Sequence, residues 1–116
     1  MTFSEQRHGK ISILSLKGSF MGRPGVSVFG RAIFDLLKDD VIFIVLDLAA
    51  LRFIDSAELG AIISAMVSTG RKEGALKLAA ACGDVQNIVK RMNLDRVFDI
   101  YDTVADAEAS FGKKKT

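Results

Sequence analysis

The 116-residue sequence contains a single cysteine, Cys82, and a single histidine, His8. One cysteine excludes a disulfide within the chain, and this usage fits a reducing compartment. One Cys and one His do not supply the four ligands of a structural zinc site, so we expect no metal centre. We expect Cys82 to be a small buried apolar residue and His8, which stands in a polar stretch, to lie at the surface.

Long apolar runs and a strong charge excess are also absent. The N-terminal segment is polar, and no apolar stretch approaches the ~20 residues that a membrane-spanning helix needs. The net charge is only +2, which is too small to indicate nucleic-acid binding. The lysines near the C-terminus supply more than this excess, and we expect residues 113–116 to form a disordered basic tail. We therefore expect a cytoplasmic protein that contacts neither a membrane nor nucleic acid directly.

The residues that are present suit one globular domain over residues 1–116, with 49% hydrophobic and 26% charged residues. Strand and helix patterns alternate, which is typical of an α/β domain with a four- to five-stranded, mostly parallel sheet and about four helices. The predicted strands cover residues 2–7, 11–16, 41–46, 75–82 and 97–101, and the predicted helices cover 25–39, 56–69, 84–92 and 103–111. In segment 75–82 a helix competes with the strand, because alanine disfavours strands.

Glycines and capping residues set the predicted ends of these elements. Gly18 is expected to end the second strand and to begin a loop over residues 18–25. Gly70 is well placed as the C-terminal cap residue of the second helix. Asp84 and Thr103 are expected to be the N-caps of the last two helices.

The central stretch combines a buried strand with the start of a helix. The strand at 41–46 is followed by a short predicted loop and by Phe53-Ile54, and helical spacing begins after Asp55-Ser56. Asp55 three residues before Glu58 matches a capping box, whose only role is to start a helix. Ser56 also matches a modification site, because a helix N-terminus offers unpaired N–H groups and a partial positive charge. The local sequence leaves both interpretations open.

Residues that carry enzyme chemistry are scarce. Segment 18–25 is rich in glycine but lacks the lysine and the spacing of a P-loop. One interpretation makes Asp47 and Asp55 a carboxylate pair, but we expect Asp47 to end a strand and to bond local backbone N–H groups. We therefore expect neither an enzyme nor a bound cofactor.

The order of a buried strand, Leu-Asp-Leu, a spacer, Phe-Ile-Asp-Ser and Leu-Gly over residues 46–60 resembles the STAS family, and more narrowly the bacterial anti-anti-sigma factors. The resemblance covers roughly residues 4–111. In that family the Ser of this step is phosphorylated by a partner kinase that is also an anti-sigma factor, and the matching residue here is Ser56. The family usually continues Ser-Ser-Gly-Leu-Gly, whereas this chain reads Ser-Ala-Glu-Leu-Gly over residues 56–60.

The resemblance implies an anti-sigma factor antagonist that binds the anti-sigma kinase until Ser56 is phosphorylated, with a phosphatase that removes the phosphate. The implied partner surface comprises Met21, Gly22, Arg23, Asp55, Ser56, Ala57 and Glu58. We expect the Glu58 carboxylate to lie beside the incoming phosphate, so that Glu58→Gly raises the phosphorylation rate. Two alternatives remain open: a scaffold component of a larger signalling assembly, and a small-ligand or nucleotide-binding module of the same fold.

Overall fold

The computed structural model describes residues 2–20 and 22–113. Within this part of the chain the strands are β1 (Thr2–His8), β2 (Ile11–Phe20), β3 (Phe43–Ile54), β4 (Ala75–Ala79) and β5 (Ile100–Tyr101). The helices are α1 (Gly22–Lys38), α2 (Ser56–Arg71), α3 (Gly83–Arg91) and α4 (Val104–Lys113), with a 3-10 turn at Leu94–Arg96. None of these described helices is both long and apolar enough to cross a membrane.

The strands form one sheet in the order β1-β2-β3-β4-β5. β1 runs antiparallel to β2, and the other neighbouring pairs are parallel. One helix joins each parallel strand to the next, so α1, α2 and α3 all begin at the carboxyl edge of the sheet. The predicted α/β class, with a mostly parallel sheet and four helices, is confirmed.

The main core lies between one face of the sheet and helices α1, α2 and α3. Ile44 and Leu46 of β3 point into it, because alternate residues of a strand face the same side. They pack with Phe29 of α1, Ile62 of α2 and Val85 of α3, and all five are at most 1% exposed. Burial of a side chain of this size contributes roughly 1.5–3 kcal/mol to the stability of the fold. The burial of Ile62 therefore anchors α2 against the sheet.

A second, smaller core lies on the opposite face, under α4. Val45 packs there with Ala107 and Phe111 of α4. Lys77 of β4 is also buried on this side, with 1% of its surface exposed. Its Nζ donates a hydrogen bond of 2.6 Å to the Ser110 hydroxyl and lies 4.6 Å from the centre of the Phe111 ring. The ammonium group is therefore held by the C-terminal part of α4.

β3 is one long strand, so the predicted short loop after residue 46 is wrong. The pairing with β2 passes from Ser15–Asp47 to Lys17–Ala50, and later from Gly18–Leu51 to Ser19–Phe53. At both places β3 carries one extra residue, which is a β-bulge. Bulges interrupt the alternation of buried and exposed residues, and this interruption is why the segment resembles a loop in the sequence. The same pairing shows that Gly18 does not end β2, which continues to residue 20.

α1 and α2 are longer than predicted. α1 begins at Gly22 rather than at residue 25, so the second half of the predicted 18–25 loop is helical. α2 continues through Gly70, and Lys72 is its C-cap. The left-handed conformation that usually favours a glycine after a helix is taken by Glu73, with φ 65°. Glycine is instead required at Gly74, where a Cβ would overlap the backbone of residue 42.

The last part of the chain also differs in detail. α3 begins at Gly83, and its N-cap is Cys82, which makes no side-chain capping bond. Asp84 therefore lies in the first turn and is not the predicted cap. The predicted cap of α4 is confirmed, because the Thr103 hydroxyl accepts a hydrogen bond of 3.0 Å from the Asp106 N–H. β4 and β5 are shorter than the predicted strands 75–82 and 97–101.

Candidate functional site at the start of the second helix

Two helices begin side by side at the carboxyl edge of the sheet. Phe20 and Ile54, the last residues of β2 and β3, are partners in the sheet. α1 begins two residues after the first of them, at Gly22, and α2 begins two residues after the second, at Ser56. The sequence predicted this proximity of the two segments from the parallel strands. Met21 lies outside the described residues, and the role of Gly22 and Arg23 in partner binding stays a prediction.

Asp55 is the N-cap of α2, as predicted. Its backbone is extended, with φ −106° and ψ −179°. Its Oδ1 accepts hydrogen bonds from the N–H groups of Ala57, at 3.0 Å, and Glu58, at 3.2 Å. These two N–H groups have no acceptor within the first turn of the helix, so the Asp55 side chain satisfies donors that would otherwise need water.

Ser56 and Ala57 are exposed in the first turn of α2. The Asp55 cap fixes the backbone of this turn, so the Ser56 hydroxyl stands on a rigid element rather than on a loop. The start of a helix carries a partial positive charge that stabilises a nearby anion by about 0.3–1 kcal/mol. The first turn of α2 thus offers an exposed hydroxyl in a field that favours negative charge.

Glu58 does not occupy the surface position that the sequence suggested. The side chain is fully buried, and neither of its carboxylate oxygens has a hydrogen-bond partner among the residues that the structure describes. The capping box is therefore incomplete, because Glu58 does not bond back to the Asp55 N–H. The expectation that Glu58 lies beside an incoming phosphate, and so belongs to the partner surface, is wrong. Leu59 and Ile62 of the same helix pack in the main core, and Glu58 is buried along with them.

The sequence of this chain matches a known domain family along most of its length. The model of the STAS domain matches residues 3–107. The chain belongs to the STAS family.

Proteins similar to this STAS chain include anti-sigma factor antagonists. A Thermotoga maritima protein assigned as one is 31% identical over 88 residues, which are 75% of this chain and 78% of that protein. The crystal structure of an assigned antagonist from Thermotoga maritima has a TM-score of 0.81 at 26% identity, covering 93% of this chain and 92% of that one. SpoIIAA of Bacillus in its phosphorylated form has a TM-score of 0.73 at 15% identity, over 95% and 99% of the two chains. This last likeness shows a common fold.

Asp47, the other carboxylate of the STAS pattern, has a structural role. Its Oδ1 accepts a hydrogen bond from the Ala49 N–H and its Oδ2 accepts one from the Ser15 hydroxyl, both at 3.1 Å. The predicted bond to a local N–H is confirmed, but Asp47 does not end a strand as predicted, because β3 continues to Ile54. Seven residues of β3 lie between Asp47 and Asp55, which is on the order of 20 Å of strand, so the two carboxylates do not form a pair.

Cys82 and His8 are not part of the first turn of α2. The prediction that Cys82 is buried is wrong: it is exposed at the start of α3, with its Sγ 3.7 Å from the Ala49 carbonyl oxygen. It is exposed because β4 ends at Ala79, before the segment reaches residue 82. His8 is exposed as predicted, and its Nδ1 lies 3.0 Å from a carboxylate oxygen of Glu108.

Proposed function

We propose that this protein is an anti-sigma factor antagonist that binds an anti-sigma factor with serine kinase activity and is released when that kinase phosphorylates Ser56. The observation that carries the proposal is the exposed hydroxyl of Ser56 in the first turn of α2, held by the Asp55 cap. The residue also occupies the position of the Asp-Ser step in the STAS pattern. A phosphatase that hydrolyses the phosphate returns the protein to its binding form.

The domain itself tolerates the modification. A phosphate adds about −1.5 to −2 charge and three acceptor oxygens, and the start of α2 offers a favourable field to that charge. The side chain of Ser56 is exposed, so the phosphate displaces no core group. Phosphorylation therefore changes the surface of the protein without changing its fold.

A partner bound at the start of α2 does not tolerate a phosphate on Ser56. A partner surface that packs against Ser56 and Ala57 excludes water from them, and a phosphate placed there loses its hydration. It also needs space that a closely packed interface does not have. Like charges brought together at an interface cost several kcal/mol. Phosphorylation of Ser56 consequently shifts the equilibrium from the complex to the free proteins.

The relatives support the antagonist role and the capacity of this fold to carry a phosphate. The Thermotoga maritima protein, which is 31% identical, is assigned as an anti-sigma factor antagonist. The fold is shared with SpoIIAA, an anti-sigma factor antagonist that has been solved in an unphosphorylated and a phosphorylated form. A STAS domain of this shape is therefore able to carry a phosphate and stay folded.

The experiment tests whether a kinase transfers phosphate from ATP to this protein, and the mass of the intact protein is measured afterwards. The protein is incubated with ATP and, one at a time, with the purified serine-kinase anti-sigma factors of the same genome. We expect one phosphate on the wild type and on Ser4→Ala, and none on Ser56→Ala. Ser4 is the matched control because it is an exposed serine on β1, outside the start of α2. A phosphate that persists in Ser56→Ala, or that peptide mapping places on Ser64 or Ser68, contradicts the proposal.

A further inference from the structure

An open groove runs between α1 and α2 on the outer side of the main core. Its lining is apolar apart from two serine hydroxyls, and its volume is about 380 Å³. The lining residues are Val26, Phe29, Gly30, Ile33, Phe34, Leu37, Ala61, Ser64, Ala65 and Ser68. The groove runs from Val26 to Leu37 of α1, which is 12 residues or about 17 Å along the helix axis. This length matches about three turns of a bound helix.

Gly30 keeps the middle of the groove open, although the fold does not require a glycine there. Its φ is not positive, and a Cβ built on it meets nothing within 4 Å. A glycine inside a helix is less favourable than alanine, so this residue weakens α1 without serving its packing. Ala61, Ser64 and Ser68 on the facing side of α2 are also small. The middle of the groove is therefore open enough to admit a side chain of a bound partner.

Phe34 forms the rim of the same groove. It is 62% exposed, the largest exposure among the large apolar side chains that the structure describes. A single exposed aromatic residue is ordinary, but one at the rim of an apolar groove supplies the kind of anchor that dominates the binding energy of interfaces. In the sequence, the signals for this surface are a glycine inside a helical pattern and a phenylalanine outside its apolar stripe.

The groove begins next to the proposed phosphorylation site. Ala61, at its upper end, lies one turn beyond Ala57, and Val26 lies one turn beyond Gly22. Both helices start at the carboxyl edge of the sheet and run in the same direction. A partner that covers Ser56 and Ala57 therefore reaches the groove without leaving the surface of α2.

We propose that the groove binds an amphipathic helix of the anti-sigma factor, whose aliphatic side chains enter beside Gly30 and pack on Phe34. This inference rests on the proposed function and assigns a second contact region to the same partner. Specific interfaces bury ~800 Å² on each side, which is more than the first turn of α2 offers alone. Three turns of groove suit a helix with anchors at positions i, i+3 or i+4, and i+7.

The test compares groove variants with a matched surface variant. Gly30→Leu fills the groove from inside α1, and leucine is the better helix former, so its melting temperature is expected to equal or exceed that of the wild type. Arg31→Leu places the same side chain on α1 outside the groove lining, at a position whose side chain is 80% exposed. Phe34→Ala removes the exposed rim residue and leaves the core intact. Affinity for the anti-sigma factors of the same genome is measured by calorimetry, and the sedimentation of each protein alone is recorded.

We expect Gly30→Leu and Phe34→Ala to weaken binding at least tenfold and Arg31→Leu to change it less than twofold. If both groove variants bind like the wild type while Ser56→Asp binds weakly, the groove proposal is overturned and the proposed function stands. If the groove variants bind weakly but charge at Ser56 has no effect, the proposed switch fails and the groove remains a partner surface. A wild-type dimer that Gly30→Leu dissociates assigns the groove to a second copy of this chain and overturns the proposal. Absence of binding to every anti-sigma factor overturns both.

Discussion

The carboxylate of Asp55 accepts a hydrogen bond of 3.0 Å from the backbone N–H of Ala57. This bond spans Ser56, so the cap fixes the backbone on both sides of the residue proposed to carry the phosphate, while its side chain stays exposed. The position of the Ser56 hydroxyl is thus set by the backbone at the end of β3. We expect a small change of the Asp55 side chain to shift the Ser56 hydroxyl.

Asp55→Ala removes the cap and is expected to lower the free energy of unfolding by about 1 kcal/mol. The first-turn N–H groups of Ala57 and Glu58 then lose their acceptor. Asp55→Asn keeps a side-chain oxygen at the same place and is expected to stay close to the wild type. Urea denaturation of the three proteins measures the difference. Equal stability of the alanine and asparagine variants would show that water replaces the cap without loss.

Glu58→Met is expected to raise the free energy of unfolding by about 1–2 kcal/mol, because a buried polar group without a partner costs about that much. Methionine has a similar length and a similar helix propensity. Glu58→Gln is the control, since it keeps a polar group in the interior and should gain less. A methionine variant less stable than the wild type would contradict the view that Glu58 is unsatisfied in the free protein.

Much of the fold was predictable because its signals are local. The apolar stripes of α1 and α2 and the Thr103 cap follow from residue spacing and from side-chain chemistry within one turn. The course of β3 was not predictable in the same way. Its two bulges depend on pairing with β2, which is a contact between residues far apart in the chain.

The same difference between local signals and tertiary contacts applies to the candidate site. The capping role of Asp55 could be read from the sequence, because the bonded N–H groups lie two and three residues away. The burial of Glu58 could not, because it depends on how α2 lies against the rest of the domain. Cys82 is the opposite case, a residue type that is usually buried but that the short β4 leaves exposed. Spacing therefore locates a site, while tertiary packing decides which of its side chains face outward.

Ser110→Ala is expected to lower the free energy of unfolding by about 1–3 kcal/mol, because it takes the nearest acceptor from the buried ammonium of Lys77. The remaining polar groups are more distant: the Tyr101 hydroxyl lies at 3.5 Å and an Asp99 carboxylate oxygen at 4.0 Å. In a Lys77→Met background the same substitution should cost much less, and a double-mutant cycle by urea denaturation measures this difference. Equal costs in both backgrounds would show that the two side chains are not coupled.

Charge at Ser56 is expected to control partner affinity. Ser56→Ala keeps a small neutral side chain and should bind the anti-sigma factor within about threefold of the wild type, because binding uses the unmodified surface. Ser56→Asp should bind roughly tenfold more weakly, equivalent to about 1.4 kcal/mol, and the phosphorylated protein more weakly still, because a phosphate carries more charge than one carboxylate.

The matched control for Ser56→Asp is Ala105→Asp. It places the same carboxylate in the first turn of α4, which packs on the opposite face of the sheet. Both carboxylates suit a helix start, so both variants should stay folded, with melting temperatures near that of the wild type. Calorimetric titration of one anti-sigma factor with all of these proteins separates a local effect at Ser56 from a general effect of added negative charge. Equal weakening by Ala105→Asp and Ser56→Asp would mean that net charge, and not the site at the start of α2, governs the interaction.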